Sequence, residues 1–463
     1  MSKRIYLFLV VVMFALQAMA LSTTDFESNN YIQAWGRLKL VTTPNSGGNK
    51  VQLADKNGNA VQLRGWSTHT HSSVAFFDNK NDFEGMKRLG ANVVRLTCYI
   101  ASEKSIDATV WNDQKVWLQN AITWNNELGL YVIVDYHVLN PGNPNDYLIG
   151  ANDSIVYEKA ETFFADISTF VKENNYNHVL YEICNEPNTK SDGNGGEINV
   201  TWQDIKEYAD VILPIIAEND PNAVVIIGTP SWSFHLEDAN RDRFEHETLQ
   251  IMYTFHFYAC SHTTLSNTNG HFSDTILCSI PVFATEWNNT NNTGRGECPA
   301  STIADTFLAR CNYGQNQRIS WTAWSWSEVV DEQGEPRTSS TWKNGTSPDG
   351  SDYTVENLSP TGLMIYEELQ QNHINYDGLN EVKSTVSATF SIYPNPTKDG
   401  NFQVTLPTGE TALLTVENLQ GQTVYSTTIV NGVAFINAKL TEGIYLVSIC
   451  MKNSAKTQKL VVK

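Results

Sequence analysis

Positive charge is scarce in this chain of 463 residues: 31 Lys and Arg stand against 50 Asp and Glu, a formal net charge of −19. Nucleic acid and anionic membrane surfaces repel such a chain, so no nucleic-acid partner is expected, whereas a neutral polymer is compatible with it. Cysteine is sparse and scattered. The 7 residues (Cys98, Cys184, Cys260, Cys278, Cys298, Cys311 and Cys450) include no CxxC pair and set out no disulfide or metal framework. Cys98 and Cys184 fall within apolar runs and read as buried thiols. Cys260, Cys278, Cys298 and Cys311 are able to pair in an oxidising compartment, in a pattern the sequence leaves open.

Long apolar runs are missing after the first one. Lys3-Arg4, the run from Ile5 to Ala15 and the small-residue pattern Ala18-Met19-Ala20 read as a secretory signal peptide over residues 1–20, too short for a membrane span. A glycine-rich phosphate loop after the first main strand is also lacking, which weakens an open, doubly wound nucleotide-binding sheet as the fold. What the chain has in quantity is aromatic: 12 Trp, 19 Tyr and 19 Phe, enough for a large core and for a site that stacks flat rings.

From Arg37 to Gln62 the pattern is short and β-like, with a turn signal at Asn57-Gly58, and predicts a hairpin that plugs the base of a barrel. Apolar runs then alternate with amphipathic stretches. The helix pattern of Phe83, Met86 and Leu89 stops at Gly90 and gives Val93-Val94-Arg95-Leu96; that of Val116, Trp117, Ala121, Trp124 and Leu128 stops at Gly129 and gives Tyr131 to His137. Eight such runs, apolar throughout and therefore buried on both faces, predict a parallel sheet closed into a (β/α)8 TIM barrel over residues 21–371. Residues 372–387 are poor in large apolar side chains and read as a linker, and 388–463 carry short alternating strands that predict a small all-β sandwich.

Two stretches carry the chemistry. Tyr181-Glu182-Ile183-Cys184-Asn185-Glu186-Pro187 and Pro281-Val282-Phe283-Ala284-Thr285-Glu286-Trp287 are both apolar runs that deliver a glutamate to the carboxyl end of a strand, where barrels keep their sites. Paired carboxyl groups facing one cleft suit glycoside hydrolysis, one protonating the leaving oxygen and the other attacking or activating water. His69, Arg95, His137, Asn185, His256, Tyr258 and Trp324 also fall at strand ends on the same predicted face.

In order and spacing, LRGWSTHT, NVVRLTCY, VDYHVLNPGNPN, YEICNEPN, IIGTPSW, YTFHFYA, PVFATEW and SWTAWSW resemble the strand motifs of glycoside hydrolase family 5, the cellulase family, and most closely its bacterial endoglucanase branch. The resemblance covers about residues 35 to 370. It implies a retaining endo-β-1,4-glucanase with Glu186 as acid/base and Glu286 as nucleophile. Arg95 would hold Glu286 ionised, Asn185 would bond the sugar 2-hydroxyl, and His256 and Tyr258 would tune the carboxylates. His69, Tyr99 and His137 would position the sugar, with Trp324 as a stacking wall and Trp232 of the IIGTPSW motif binding substrate as well. The resemblance calls for no metal and no cofactor, and implies a monomer acting on a polysaccharide. Two departures from the branch bear on sugar preference: Ser72-Ser73-Val74 where an aromatic is usual after the first-strand His, and Ser327 to Asp331 where a Lys is usual after the eighth-strand Trp.

The tail motifs Tyr393-Pro394-Asn395-Pro396, Val416-Glu417-Asn418-Leu419-Gln420-Gly421 and Leu440 to Val447 resemble the C-terminal sorting domain of type IX secretion, implying export from a Gram-negative cell and the secretion machinery as a partner. Within the residues themselves two other readings stay open. His69-Thr70-His71 is an HxH pair of the kind that ends the first strand of metal-dependent barrels. A barrel without activity that binds glycan at the cell surface is the other, against which both glutamates stand intact.

Overall fold

The computed structural model describes residues 29–371 and 391–463 apart from short segments, the longest being 70–78, 100–107, 148–159, 263–270, 295–303, 312–317 and 329–336. The expected signal peptide and linker lie outside the described residues. Helix α1 (Tyr31–Trp35) is followed by the expected hairpin, β1 (Lys39–Asn45) and β2 (Gly48–Ala54). Its turn is elsewhere than predicted: Asn45 pairs with Gly48, so the chain reverses between them. Asn57-Gly58 makes a separate tight turn that redirects the chain into the barrel. The Asp55 carboxylate causes it, accepting from the N–H groups of Asn57 and Asn59 at 2.8 and 2.9 Å. The hairpin region lies against the amino ends of barrel strands, Leu40 N donating to Gln250 Oε1 at 3.1 Å and Arg318 Nη1 to the Ala60 carbonyl at 2.9 Å. It therefore sits at the base, as expected.

The barrel strands are β3 (Arg64–Thr68), β4 (Val93–Cys98), β5 (Tyr131–Tyr136) and β6 (Val179–Glu182), then, after a small hairpin of β7 (Thr189–Ser191) and β8 (Glu197–Asn199), β9 (Val224–Ile227), β10 (Gln250–Tyr258), β11 (Val282–Asn288) and β12 (Ser320–Trp326). They close in that order, with β12 paired back to β3. All eight pairings are parallel. Three of the pairings slip register, between Thr254 and His256, between Ala284 and Trp287 and between Ala323 and Trp326. Each slip falls beside a predicted site residue, where a bulge re-aims side chains that a regular strand would send to alternate faces.

Helices α2 (Lys80–Arg88), α3 (Ala108–Leu128), α4 (Ala160–Glu173) and α5 (Trp202–Asn219) cover the strands. Phe163, Phe164, Ile167 and Val171 of α4 form one fully buried stripe, and burying each such side chain contributes about 1.5–3 kcal/mol. On α3 the buried stripe is Trp117, Leu118, Ala121 and Ile122, whereas Val116 is 56% exposed. A helix turning 100° per residue cannot hold Val116 on the face that 117, 118, 121 and 122 define. Thr201 starts α5 with a capping box to Asp204, a device worth about 1 kcal/mol. Two short helices, α6 (Leu236–Arg241) and α7 (Asp274–Leu277), and the closing α8 (Pro360–Gln371) complete the layer.

The tail is the predicted sandwich. One sheet holds β13 (Ser391–Tyr393), β14 (Asn401–Thr405) and β17 (Val433–Asn437); the other orders β16 (Thr423–Val430), β15 (Thr411–Asn418), β18 (Gly443–Met451) and β19 (Ser454–Val462). Ile392, Phe402 and Val404 of the first share a core with Leu414, Val416, Val447 and Ile449 of the second. Two aromatics of the tail are turned to solvent, Tyr393 at 74% and Phe435 at 84% exposed. Both align with Gln403 across the sheet, and strand alternation turns that row outward.

Candidate active site

Arg95 is the hub of the carboxyl-end face. Fully buried on β4, it donates from Nε to Glu182 Oε2 at 2.6 Å, from Nη1 to Glu286 Oε2 at 3.1 Å and from Nη2 to Asn185 Oδ1 at 2.7 Å, and its Nη2 lies 2.9 Å from Asp135 Oδ2. The expected pairing with Glu286 is present, yet the shortest contact is to Glu182. Burial alone would lower the guanidinium pKa; Asp135, Glu182 and Glu286 together push it up. Asn185 is oriented by the same contact, which fixes its amide oxygen toward the arginine.

Around this hub the two predicted glutamates have different surroundings. Tyr258 donates its hydroxyl to Glu286 Oε1 at 2.5 Å. Burial pushes the Glu286 carboxyl up, but His256, Arg95 and the Tyr258 hydrogen bond outweigh it and hold the group below the usual carboxylate range. Glu186 sits on the loop after β6 with 21% of its side chain exposed and one hydrogen-bonding partner on His256, whose Nδ1 lies 2.8 Å from Oε1. Burial first, then the charge of Glu286, raises Glu186 above its ordinary value. Carboxylate oxygens of Glu186 and Glu286 and a ring nitrogen of His256 all lie within 4.8 Å of one another.

His256 would be lowered by burial, but Glu286, Glu182 and Glu186 raise it to about 9, so it is an imidazolium at neutral pH. Its Nε2 meets Thr285 Oγ1 at 3.1 Å, and Thr285 donates to Glu182 Oε1 at 2.7 Å. Glu182 is held at about 2, with burial opposed by Arg95 and His256. Two cations, Arg95 and His256, thus sit among the carboxyl groups of Asp135, Glu182, Glu186 and Glu286.

Four rings line one side. Tyr99 stacks on His137 at 4.1 Å between centroids, His137 on Trp324 at 5.6 Å, and His69 approaches Trp324 at 5.0 Å and Tyr99 at 6.3 Å. His137 Nδ1 is 2.6 Å from Asp135 Oδ2. Burial, with help from neighbouring cationic groups, lowers both His69 and His137 to about 3, so each presents a neutral ring. Trp232 stands apart from this wall. It is 45% exposed, in a left-handed turn in which Ser231, Trp232 and Ser233 all have φ of 58°. Such backbone costs roughly 1–3 kcal/mol per residue. The turn is anchored to the Glu186 loop, Trp232 N donating to the Pro187 carbonyl at 3.0 Å and Ser233 Oγ to the Asn185 carbonyl at 2.8 Å.

That loop is also clamped from behind. A Cβ on Gly228 would lie 2.6 Å from the Cys184 carbonyl oxygen, and one on Gly142 2.6 Å from that of Glu186. Only glycine permits backbone this close. Asn188 completes the clamp, accepting from Gly142 N at 2.7 Å and donating to the Glu186 carbonyl at 3.1 Å.

Every predicted site residue except Trp232 thus converges on one cluster, and the structure adds Asp135, Glu182, Thr285 and Asn188. The sequence did hold a sign of the acids: each interrupts a run of apolar strand residues, and a buried carboxylate demands a partner. Thr285 had no such sign. Being adjacent to Glu286, it should face away from it, and only the register slip between Ala284 and Trp287 lets both reach the cluster. Of the cysteines, Cys98 and Cys184 are buried free thiols as expected; Cys278 and Cys311 are also free, and Cys260 is disulfide-bonded. Of the HxH pair, His71 lies outside the described residues.

The family model for cellulase, glycosyl hydrolase family 5, matches residues 54–329, and that for a secretion system C-terminal sorting domain matches 391–463. An endoglucanase of Clostridium saccharobutylicum is 30% identical over 416 residues, 88% of this chain and 80% of that protein. Cellulase CelDZ1 of Thermoanaerobacterium sp. is 34% identical over 297 residues, 63% of this chain and 71% of that protein. The crystal structure of the catalytic domain of Thermobifida fusca endoglucanase Cel5A (E5) matches with a TM-score of 0.61 at 28% identity, covering 74% of this chain and 100% of that one.

Proposed function

Because the chain belongs to glycosyl hydrolase family 5, the cellulase family, we propose that it is a retaining endo-β-1,4-glucanase in which Glu286 is the nucleophile and Glu186 the acid/base. The observation that carries this is the approach of the two carboxyl groups: each brings an oxygen within 4.8 Å of the other's, which falls on the side of the close spacing of about 5–5.5 Å used for direct attack rather than the roughly 6.5–9.5 Å that leaves room for a water. Their opposite pKa shifts supply the division of labour. Glu186, raised by burial, keeps the proton that the glycosidic oxygen needs as the bond breaks. Glu286, held ionised by His256, Arg95 and Tyr258, attacks the anomeric carbon and forms a glycosyl-enzyme ester. Glu186, now a carboxylate, takes a proton from the incoming water, which releases the sugar with its anomeric configuration retained.

The ring wall of His69, Tyr99, His137 and Trp324 supports a role in holding the reacting sugar. Trp232, on the rim beside the acid/base loop, suits a sugar further along the chain. All of these residues come from one chain, consistent with a monomer. The C-terminal sorting domain makes the protein a secreted or cell-surface product of a Gram-negative bacterium, which fits a polymer too large to be imported.

The test compares reducing-sugar release by the wild type and Glu286→Gln on carboxymethyl cellulose, barley β-glucan, glucomannan and xylan, and follows the first-formed anomer by NMR. Strongest release from the two glucans is expected, as the β anomer and with a loss of roughly 10³-fold or more in the variant. First formation of the α anomer would overturn the nucleophile assignment, and preference for xylan or glucomannan would overturn the substrate.

A further inference from the structure

Among the described residues, two groups of side chains bring three potential metal-donor atoms within 4.8 Å of one another. One is Glu186, His256 and Glu286, already accounted for. The other is His235, Glu237 and His271, which belongs to no motif of the sequence and takes no part in the proposed hydrolysis. His235 and Glu237 lie at the start of α6; His271 lies 34 positions beyond Glu237, in the segment that follows β10. His271 Nδ1 is 2.8 Å from Glu237 Oε1 and 2.9 Å from Oε2, and His235 Nδ1 is 3.8 Å from the same Oε1. The two imidazoles stack face to face, 4.4 Å between centroids at 13°.

We propose that His235, Glu237 and His271 bind one divalent transition-metal ion of the zinc class. Tetrahedral donors at about 2.0–2.2 Å from an ion stand roughly 3.3–3.6 Å apart. The separations from Glu237, 2.8 Å to His271 and 3.8 Å to His235, bracket that value, the two histidine nitrogens lie within 4.8 Å of each other, and the stacked rings would turn toward each other about their side-chain bonds to aim both nitrogens at one ion. Two nitrogen donors and one carboxylate select zinc, nickel or copper over calcium or magnesium, which take oxygen. The three side chains keep 26–37% of their surface exposed, so an ion and a completing water can enter from solvent. The floor is firm: Phe234 packs 4.7 Å from His271, 4.2 Å from His262 and 5.3 Å from Phe255. Hydrogen bonding of one histidine to Glu237 accounts for one imidazole, not for a second stacked upon it with its own nitrogen turned to the same oxygen.

The ion would cross-link α6, which follows the turn that carries Trp232, to the segment that follows Tyr258, reinforcing the His271–Glu237 hydrogen bond and the packing on Phe234 that already join them.

The experiment is calorimetric titration of the chelator-stripped full-length protein with Zn²⁺ at pH 7.5, with Ca²⁺ as the contrast and Co²⁺ for its visible absorption. One Zn²⁺ per chain, little heat with Ca²⁺ and a Co²⁺ spectrum of low symmetry are expected, with a rise in the thermal midpoint. His235→Ala/His271→Ala should weaken Zn²⁺ binding by at least about 100-fold; should that pair fail to fold, His271→Asn alone should weaken it at least about 10-fold. Glu286→Gln separates the two clusters, and Zn²⁺ binding should survive it. Equal binding by wild type and the histidine variants, loss of binding in Glu286→Gln, or no saturation below millimolar Zn²⁺ would each overturn the proposal.

Discussion

Glu182→Gln tests whether the buried cluster is held by charge or only by shape. The substitution keeps size and hydrogen-bonding capacity while removing the anion that meets Arg95 at 2.6 Å. The Glu182 carboxyl lies at about 2 in the fold, against an ordinary value of 4.5. A folded pKa below the unfolded one contributes stability that is present above 4.5 and is lost as pH falls through 2. The difference amounts to about 3 kcal/mol at pH 7 and about 2 kcal/mol at pH 3.5, and breaking a buried pair by removing one partner costs about 3–5 kcal/mol in its own right. All 12 tryptophans precede residue 343, so tryptophan fluorescence during urea unfolding follows the barrel and not the tail. The variant should be less stable by roughly 3 kcal/mol at pH 7 and the gap should narrow by about a third at pH 3.5. A gap under about 1 kcal/mol, or one that does not change with pH, would refute the view that Glu182 is an ionised partner of Arg95.

The pH profile of kcat/KM should be bell-shaped, with an acid limb set by Glu286 below the ordinary carboxylate range and an alkaline limb set by Glu186 above it. Tyr258→Phe deletes the donor 2.5 Å from Glu286, so the acid limb should move upward, and an unmoved limb would remove Tyr258 from that role. Gly228→Ala forces a Cβ to within 2.6 Å of the Cys184 carbonyl. It should lower kcat by about 10–100-fold through displacement of the Glu186 loop, with a stability loss of about 1–3 kcal/mol; full activity would show the loop tolerates the shift. Trp232→Ala should raise KM on long glucans by about 10-fold while changing kcat little, the mark of lost binding that ground and transition states share, and a fall in kcat at unchanged KM would contradict it.

The barrel was legible because parallel strands buried on both faces leave nearly continuous apolar runs, and the first two helices between them stop at glycines, Gly90 and Gly129. The candidate site was legible where chemistry and strand ends coincide, as at Glu186, Glu286, His137 and His256. What stayed hidden has physical causes. The hairpin turn went to Asn57-Gly58 by local propensity, whereas the pairing of Lys39–Asn45 with Gly48–Ala54 placed the reversal earlier. Val116 was assigned to the wrong stripe because α3 offers apolar residues on more than one face. Thr285 depends on a register slip, a property of strand pairing rather than of sequence. The metal-donor cluster joins residues on separate segments, and no spacing rule brings position 271 to positions 235 and 237.

The pKa difference between the two glutamates does not reside in either glutamate. Loss of solvent raises both, Glu286 buried and Glu186 half-buried; what separates them is which neighbours can reach them. Glu286 projects from a strand into the donors of Arg95 and Tyr258, with the His256 imidazolium adding positive charge, while Glu186 hangs from a loop and, among the described residues, is hydrogen-bonded by His256. Arg95 is held in place by Glu182 and Asp135, so the ionised state of the proposed nucleophile rests on two carboxylates that never contact it. His256 is in turn an imidazolium because Glu286, Glu182 and Glu186 surround it. A neutral substitution at Glu182 therefore weakens the hold on Glu286 twice, by loosening Arg95 and by lowering His256, and the acid limb of the pH profile should register both.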